Sequence, residues 1–383
     1  MASLLRDRPA STAAMIAAFG DDALLRAALD FEAALARAQA AEGVIPSEAA
    51  DVIVETCITA HFDIAELADE AAHAGTLAIP LVFRLRALVA ERDGPAAKLV
   101  HHGATSQDLA DTALMLQAKA GAALIVGEGK ALALALAHLA QAHVETPMLG
   151  RTLLQGALPI TFGMKAANWL LGVDAAGRRF EREAADTLVL QLGGAAGTLA
   201  GLNFGVVERM AADLGLGVAP MPWQARRDGV AGLAAALAIL TGAVGKIARD
   251  VSLMAQGEVG EAFEPHIEGR GGSSAMAHKR NATGCQVALS AAIRAPALAA
   301  AIFSGLPQEH ERGLGGWQAE APSLATLFDL AHGALTAMTP VIEGLKVDAA
   351  AMRRNLGAAK VGADTGQSAA LVRRALAQYR RNR

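Results

Sequence analysis

The sequence contains little cysteine, few aromatic residues and almost no net charge. Cys57 and Cys285 are the only cysteines among 383 residues. Two thiols cannot form a disulfide framework, so a reducing cytoplasm is the expected location. The 34 basic and 38 acidic residues leave a net charge of −4, whereas dedicated nucleic-acid binders carry an excess of Lys and Arg. Disorder is also excluded, because 53% of the residues are apolar and can offset the entropy of ordering.

Signals for secretion or membrane insertion are also lacking. Arg6, Asp7 and Arg8 interrupt the stretch where a signal peptide needs an apolar core. Two charge-free runs, 187–207 and 229–245, require attention as membrane spans. The first contains five glycines, and the second is shorter than the roughly 20 apolar residues that a spanning helix needs. We therefore interpret both runs as buried helices of a soluble bundle and expect no membrane partner.

Alanine and leucine dominate the chain, which predicts helices. Apolar residues recur every three or four positions from Leu24 to Ala38, the stripe of one helix that Asp21 caps and Gly43 ends. Pro46 suits the first turn of another helix. No strand–turn–strand signal stands out. Long helices are expected near 111–142, 228–258, 283–303 and 321–345.

Several long helices predict a central bundle. The stretch 229–245 is apolar on all sides. A helix of this kind must be covered all round, so other subunits are expected to cover part of it.

Four polar segments interrupt the helical pattern: 101–108, 150–155, 268–281 and 308–320. The segment 268–281 combines glycines and serines with His278, Lys279, Arg280 and Asn281. A serine hydroxyl is a weak base, but a neighbouring ammonium and oriented backbone N–H groups stabilise its alkoxide. The alternative is a solvated, flexible basic loop.

The other polar segments also have two interpretations each. Thr105 or Ser106 caps a helix that has Asp108 in its first turn, or the two hydroxyls bind a carboxylate. Arg151 grips a substrate carboxylate at two points, or it neutralises a buried acid. Arg312 belongs to an anion site or to a solvated charge run. No histidine or cysteine spacing indicates a metal site.

Three of these motifs together resemble a known family. The segment 272–281 resembles the signature loop of the fumarase/aspartase superfamily, and 105–108 and 150–152 resemble its other two motifs in the right order. The resemblance extends over residues 10 to 345. It implies an all-α, fumarase/aspartase-like fold with a central long-helix bundle, and a homotetramer with active sites shared between subunits. The implied domains are an N-terminal helical domain (1–104), the central bundle (105–345) and a short remnant of the C-terminal domain (346–383).

Within the superfamily, the chain most resembles the 3-carboxy-cis,cis-muconate cycloisomerases, on the segments 150–163 and 306–313. Leu153 stands where fumarases, aspartases and adenylosuccinate lyases carry a histidine, which the muconate cycloisomerases also lack. A carboxylate leaving group is a weak base and needs little help from a general acid. Ala277 and Ala282 replace prolines of the superfamily loop, which leaves that loop less constrained.

The resemblance implies a cofactor-free and metal-free cycloisomerase that closes a tricarboxylate, 3-carboxy-cis,cis-muconate, to 4-carboxymuconolactone in protocatechuate degradation. One alternative is a succinyl-adduct lyase such as adenylosuccinate lyase, with His102 or His278 in place of the missing histidine. Another is a non-catalytic helical scaffold. The implied catalytic residues are Ser273 and Lys279, and the implied substrate-binding residues are Thr105, Ser106, Arg151, Gln155, Asn281, Arg312 and His102.

Overall fold

The computed structural model of the protein describes residues 4–273, 275–276 and 279–382. Ser274, Ala277 and His278 lie outside the described residues. The expectations that rest on Ala277 and His278 therefore stay predictions.

The first hundred residues form short helices that pack beside the bundle. The predicted apolar stripe is buried at Phe31 and Leu35. Asp21 lies in the first turn of its helix, because Gly20 occupies the cap position. Arg8–Ala10 form a 3₁₀ turn. The helices are α1 (Leu4–Asp7), α2 (Ala13–Phe19), α3 (Asp21–Ala41), α4 (Ser47–Thr59), α5 (Ile64–Ala74), α6 (Ala78–Ala90) and α7 (Gly94–Ala97).

Five long helices build the predicted central bundle. The sequence patterns anticipated four of them, and the fifth, α9, was not anticipated. Ion pairs described below join three of these helices near their N-terminal ends. These three therefore run in the same direction, and the other two run antiparallel to them. In chain order the helices are α8 (Ser106–Ala142), α9 (Phe162–Thr187), the short α10 (Phe204–Leu214), α11 (Asp228–Met254), α12 (Thr283–Ser304) and α13 (Gly316–Glu343).

Short strands and two more helices complete the described chain. Strands β1 (Pro147–Thr152) and β2 (Gln155–Thr161) form an antiparallel hairpin. Strands β3 (Val189–Leu190) and β4 (Gly217–Val218) pair in parallel, and β5 (Ala262–Phe263) and β6 (Lys346–Val347) pair antiparallel. Helices α14 (Ala349–Ala359) and α15 (Ser368–Arg381) follow. The division into three domains stays a prediction.

The hairpin was missed because its turn lacks the usual sequence. Leu153 and Leu154 occupy the two central positions with φ angles of 51° and 64°. Two-residue hairpin turns that need positive φ at both positions normally contain Asn and Gly. The sequence therefore carried no turn signal at this point.

One interpretation of the apolar runs is wrong. Residues 188–203 form β3 and an irregular segment rather than a buried helix. Gly194, Gly197, Leu199 and Gly201 have positive φ angles, which a right-handed helix does not allow. The second run lies within α11, whose apolar face is buried as expected.

Three helices of the described chain, α8, α11 and α12, are long and apolar enough to cross a membrane by length and composition alone. Within the bundle, α8 packs against α9 and α13, α11 packs against α9, α12 and α13, and α12 packs against α11 and α13. Their apolar character is therefore explained by helix–helix burial, and α12 is the least covered of the three.

A buried ion cluster fixes the relative position of α8, α11 and α13. The Arg227 guanidinium donates to both oxygens of Asp111 at 2.7 and 2.8 Å, and its Nε donates to the Glu320 carboxylate at 3.0 Å. All three side chains are buried, and the guanidinium stacks on the Trp223 ring at 4.7 Å. Burial raises the pKa of Glu320 against the opposing pull of Arg227. One guanidinium thus neutralises acids from two helices.

We expect Arg227→Ala to lower the free energy of unfolding by roughly 3–5 kcal/mol, because it leaves two buried carboxylates without a counter-charge. Urea unfolding followed by circular dichroism measures the change. The matched control is Arg226→Ala, since Arg226 forms an exposed ion pair with Asp228 and such pairs contribute little. Equal losses in the two variants would contradict this role.

Candidate active site

The N-termini of α8, α11 and α13 lie together at one end of the bundle, here called the Thr105 end. Arg312, just before α13, donates from Nη1 to Thr105 Oγ1 at 2.7 Å and to the Ala195 carbonyl at 3.4 Å. Its buried Nε has no hydrogen-bond partner among the described residues. A guanidinium with an unused edge is suited to bind a carboxylate. The structure thus brings together Arg312 and Thr105, two of the predicted binding residues, with Ser106 adjacent.

The buried carboxylate of Asp108 holds this arrangement in place. Asp108 caps α8 by accepting the Thr105 N–H at 3.1 Å. It also accepts the backbone N–H groups of Gly193 and Gly194 at 3.0 and 2.8 Å, and amide donors from Gln191 and Gln224. Burial raises the pKa of Asp108 to about 6, although these donors oppose the shift. The predicted helix cap is confirmed, and the cap also holds the irregular segment 191–197.

The segment before α8 is held by residues that the sequence did not single out. Glu32 on α3 is buried and accepts or shares a proton with His101 Nδ1 at 2.6 Å. Gln39, two turns later on α3, donates to the His102 carbonyl at 2.7 Å. Burial disfavours protonated His101, but the Glu32 carboxylate outweighs this effect and raises the pKa of His101. The signal in the sequence is a Glu and a Gln that lie seven residues apart on an otherwise apolar helix.

His102 itself is half-buried beside Gly201. Its backbone carbonyl, rather than its ring, makes the hydrogen bond to Gln39. A substrate-binding role for the ring stays a prediction.

The signature loop lies at the opposite end of the bundle, here called the loop end. Ser273 Oγ accepts the backbone N–H groups of Met276 and Ala275 at 3.1 and 3.3 Å. Hydrogen bonds donated to a hydroxyl oxygen stabilise the alkoxide more than the neutral hydroxyl. The described part of the loop therefore provides the oriented N–H groups that a basic serine needs.

Hydrogen bonds close the base of this loop. Asn281 donates its backbone N–H to the Gly271 carbonyl at 2.8 Å and its side-chain amide to Gly272 at 3.2 Å. Glu264 accepts the N–H groups of Gly284 and Cys285 at the start of α12. Lys279 is exposed. Asn281 thus has a structural role, and the ammonium of Lys279 remains accessible to a ligand.

Arg151 lies at the loop end and is already paired with a buried acid. It forms two 2.8 Å hydrogen bonds with Glu261, whose side chain is fully buried, while Arg151 is 28% exposed. Asn355 also donates to Glu261 at 2.8 Å. Of the two interpretations of Arg151, the geometry favours neutralisation of a buried acid, and its predicted contact with substrate stays untested. Gln155 lies exposed beside the hairpin turn.

The candidate residues of one chain form two separate groups. Thr105, Ser106, His102 and Arg312 lie at the Thr105 end, and the other candidates lie at the loop end. The 27 residues of α11 connect the two ends, a length of about 40 Å at 1.5 Å per residue. A single small substrate cannot contact both groups of the same chain.

Comparison with known proteins places the chain in a family. The sequence profile of a family described as lyase matches residues 8–296. The chain belongs to this lyase family. A fumarate lyase from Mesorhizobium has the same architecture, with a TM-score of 0.82 and 36% identity over 90% of this chain and 78% of that one. The expected all-α, fumarase/aspartase-like fold is confirmed.

Individual members of the lyase family are more similar still. A 3-carboxy-cis,cis-muconate cycloisomerase of Bradyrhizobium diazoefficiens is 52% identical over 91% of this chain and 78% of its own. One from Pseudomonas aeruginosa is 46% identical over 93% of this chain and 78% of its own. The crystal structure of the lactonizing enzyme from Pseudomonas putida superposes with a TM-score of 0.92 at 36% identity, covering 99% of this chain and 100% of that one. The resemblance drawn from the three motifs is thus confirmed.

The turn next to Arg151 is strained in this member of the lyase family. Leu153 and Leu154 are 96% and 77% exposed, so little burial within the chain compensates for their left-handed backbone. We expect Leu154→Gly to raise the thermal unfolding midpoint, since a non-glycine residue in this conformation costs about 1–2 kcal/mol.

The matched control for this change is Leu158→Gly, which removes a similarly exposed leucine from strand β2. Glycine weakens a regular strand, so this variant is expected to unfold at a lower temperature. Differential scanning calorimetry of both variants measures the midpoints. A fall in both would show that Leu154 is not strained.

Proposed function

We propose that this enzyme closes 3-carboxy-cis,cis-muconate to 4-carboxymuconolactone, a step of protocatechuate degradation. The observation that carries the proposal is that four relatives with this activity in their names are 43–52% identical to the chain over 88–93% of its length. The leucine at position 153 agrees with it, because the reaction needs no histidine acid at that point. Neither adenylosuccinate cleavage nor a scaffold role is favoured by these relatives.

The chemistry needs one proton and one stabilised carbanion. A carboxylate oxygen of the substrate adds to a carbon of the conjugated diene, and the electron pair moves to the carbon next to another carboxylate. That carbon then takes a proton. Ser273 is the group at this proton-transfer site, since its oxygen accepts two backbone N–H groups, which favour the deprotonated form. Lys279 stabilises the carboxylate that carries the developing charge, and it is an alternative proton donor.

The remaining carboxylates bind at the Thr105 end. The unused edge of Arg312 and the hydroxyls of Thr105 and Ser106 suit a carboxylate. The substrate carries three carboxylates, whereas the product carries two carboxylates and a neutral lactone. Each turnover therefore takes up one proton from solvent. Because the net charge is −4, binding of three carboxylates needs local positive charge, which Arg312 and Lys279 supply.

Purified enzyme is expected to remove the conjugated-diene absorbance of 3-carboxy-cis,cis-muconate without added metal or nucleotide. Ser273→Ala and Lys279→Ala should lower kcat by at least about 100-fold while the circular dichroism spectrum is unchanged. Ser252→Ala is the control, because its hydroxyl only bonds its own helix.

Near-normal rates in both loop variants would reject their assignment. Absence of turnover by folded wild-type enzyme would reject the substrate. Nitrosuccinate is then the next substrate to test, because a nitrosuccinate lyase of Streptomyces davaonensis is 43% identical over 89% of this chain and 74% of its own.

The active site is assembled between subunits of a homotetramer. The separation of about 40 Å between the two groups of one chain supports this arrangement, since substrate must contact both. Exposed apolar side chains at Leu153, Ile293 and Leu314 supply surface for the contacts.

The buried unpaired cysteines and the bacterial relatives agree with a cytoplasmic location.

Co-expression of two impaired variants tests the shared site. Ser273→Ala and Arg312→Ala remove residues from opposite ends, so co-assembled chains form some sites that carry both native residues. We expect each variant alone to turn over at least about 100-fold more slowly than the wild type and the co-expressed pair to regain turnover, measured by the diene assay. Sedimentation equilibrium checks that the assembly is a tetramer. No recovery from a mixed tetramer would place the whole site within one chain.

A further inference from the structure

Asp108 is a fully buried and heavily hydrogen-bonded side chain that the proposed reaction does not use directly. It lies fully buried at the first turn of α8. Its two oxygens accept five N–H groups, three from backbone and two from the amides of Gln191 and Gln224. All five donors are neutral. A buried carboxylate without a cationic hydrogen-bond partner is costly, so a role beyond capping one helix is indicated.

The five donors belong to segments that hold Arg312. Thr105 gives its N–H to Asp108 and its hydroxyl oxygen to Arg312 Nη1 at 2.7 Å. The turn at Gly193 and Gly194 gives two N–H groups to Asp108, and the carbonyl of the next residue, Ala195, accepts Arg312 Nη1. Of the two residues that accept from the guanidinium, Thr105 thus donates to Asp108 itself, and Ala195 directly follows a residue that does.

We propose that Asp108 is a positioning residue that fixes the orientation of the Arg312 guanidinium through Thr105 and Ala195. With Nη1 occupied by these two oxygens, the guanidinium is held in a single orientation, and its other N–H groups are left for an incoming carboxylate. Gln224 strengthens the arrangement, because its amide donates both to Asp108 and to the Gly194 carbonyl. The consequence of this role for turnover rests on the proposed function.

Asp108→Asn tests the proposal with almost no change in size. Asparagine has one acceptor oxygen, and its NH₂ group faces N–H donors. Thr105 and Gly194 donate to one oxygen of Asp108, and Gly193, Gln191 and Gln224 donate to the other. Whichever position the NH₂ group takes, at least two buried donors lose their acceptor, which is unfavourable. We expect kcat/KM to fall on the order of 100-fold, mainly through KM, because Arg312 binds a carboxylate that does not react.

A double-mutant cycle separates positioning from general destabilisation. In an Arg312→Ala background, Asp108→Asn should lower kcat/KM by less than about threefold, since the residue it positions is gone. Asp63→Asn is the matched control, because Asp63 caps α5 away from the site. Multiplicative effects of Asp108→Asn and Arg312→Ala would overturn the proposal.

A second measurement does not depend on the substrate. Phenylglyoxal modification of Arg312, followed by peptide mass spectrometry, reports how firmly the guanidinium is held. We expect several-fold faster modification in Asp108→Asn, and a smaller increase in Gln224→Met, which retains the carboxylate if the first variant fails to fold. Unchanged modification rates in folded variants would refute the positioning role. Faster modification in an enzyme that turns over no 3-carboxymuconate would refute only the proposed substrate.

Discussion

Arg227 joins the first turns of three bundle helices through one guanidinium. It lies just before α11 and bonds Asp111 on α8 and Glu320 on α13. Two nitrogens of the guanidinium donate to the two oxygens of Asp111. Trp223 covers the flat face of the guanidinium. Removal of this one cation leaves two acids in an apolar environment, which is the costly case for a buried ion pair. The parallel alignment of α8, α11 and α13 therefore depends on this contact.

The alignment places the Thr105 end in register. Asp108 lies about one turn before Asp111 on α8. Arg312 lies just before α13, the helix that carries Glu320. Once Arg227 has brought α8 and α13 together, Thr105 and Arg312 are within 2.7 Å of each other. The buried network therefore continues from a structural ion cluster to a guanidinium with an unused edge. Within this network Asp108 accepts five N–H groups at once, which holds the segments around it in place.

The loop end uses the same principle with different residues. Glu261 is fully buried and receives both Arg151 and Asn355, so Arg151 fixes the hairpin to the segment that leads into the signature loop. Ser273 and Asn281 are then held by short-range hydrogen bonds within the loop. The long helices keep the two ends about 40 Å apart, and the separation requires that chains cooperate if one substrate is to reach both.

The sequence by itself determined the helical class, four of the five bundle helices and the three motifs, because helix periodicity and motif identity are local properties. It also anticipated the cap at Thr105. Tertiary structure alone decided that Arg151 pairs with Glu261, that Glu32 and Gln39 hold the segment before α8, and that 188–203 is irregular. These outcomes depend on contacts between residues far apart in the chain. The Leu153–Leu154 turn was likewise invisible, since the backbone is held in a conformation that neither leucine favours. The physical reason is common to all of them: burial and strand pairing impose partners and backbone conformations that no sequence spacing records.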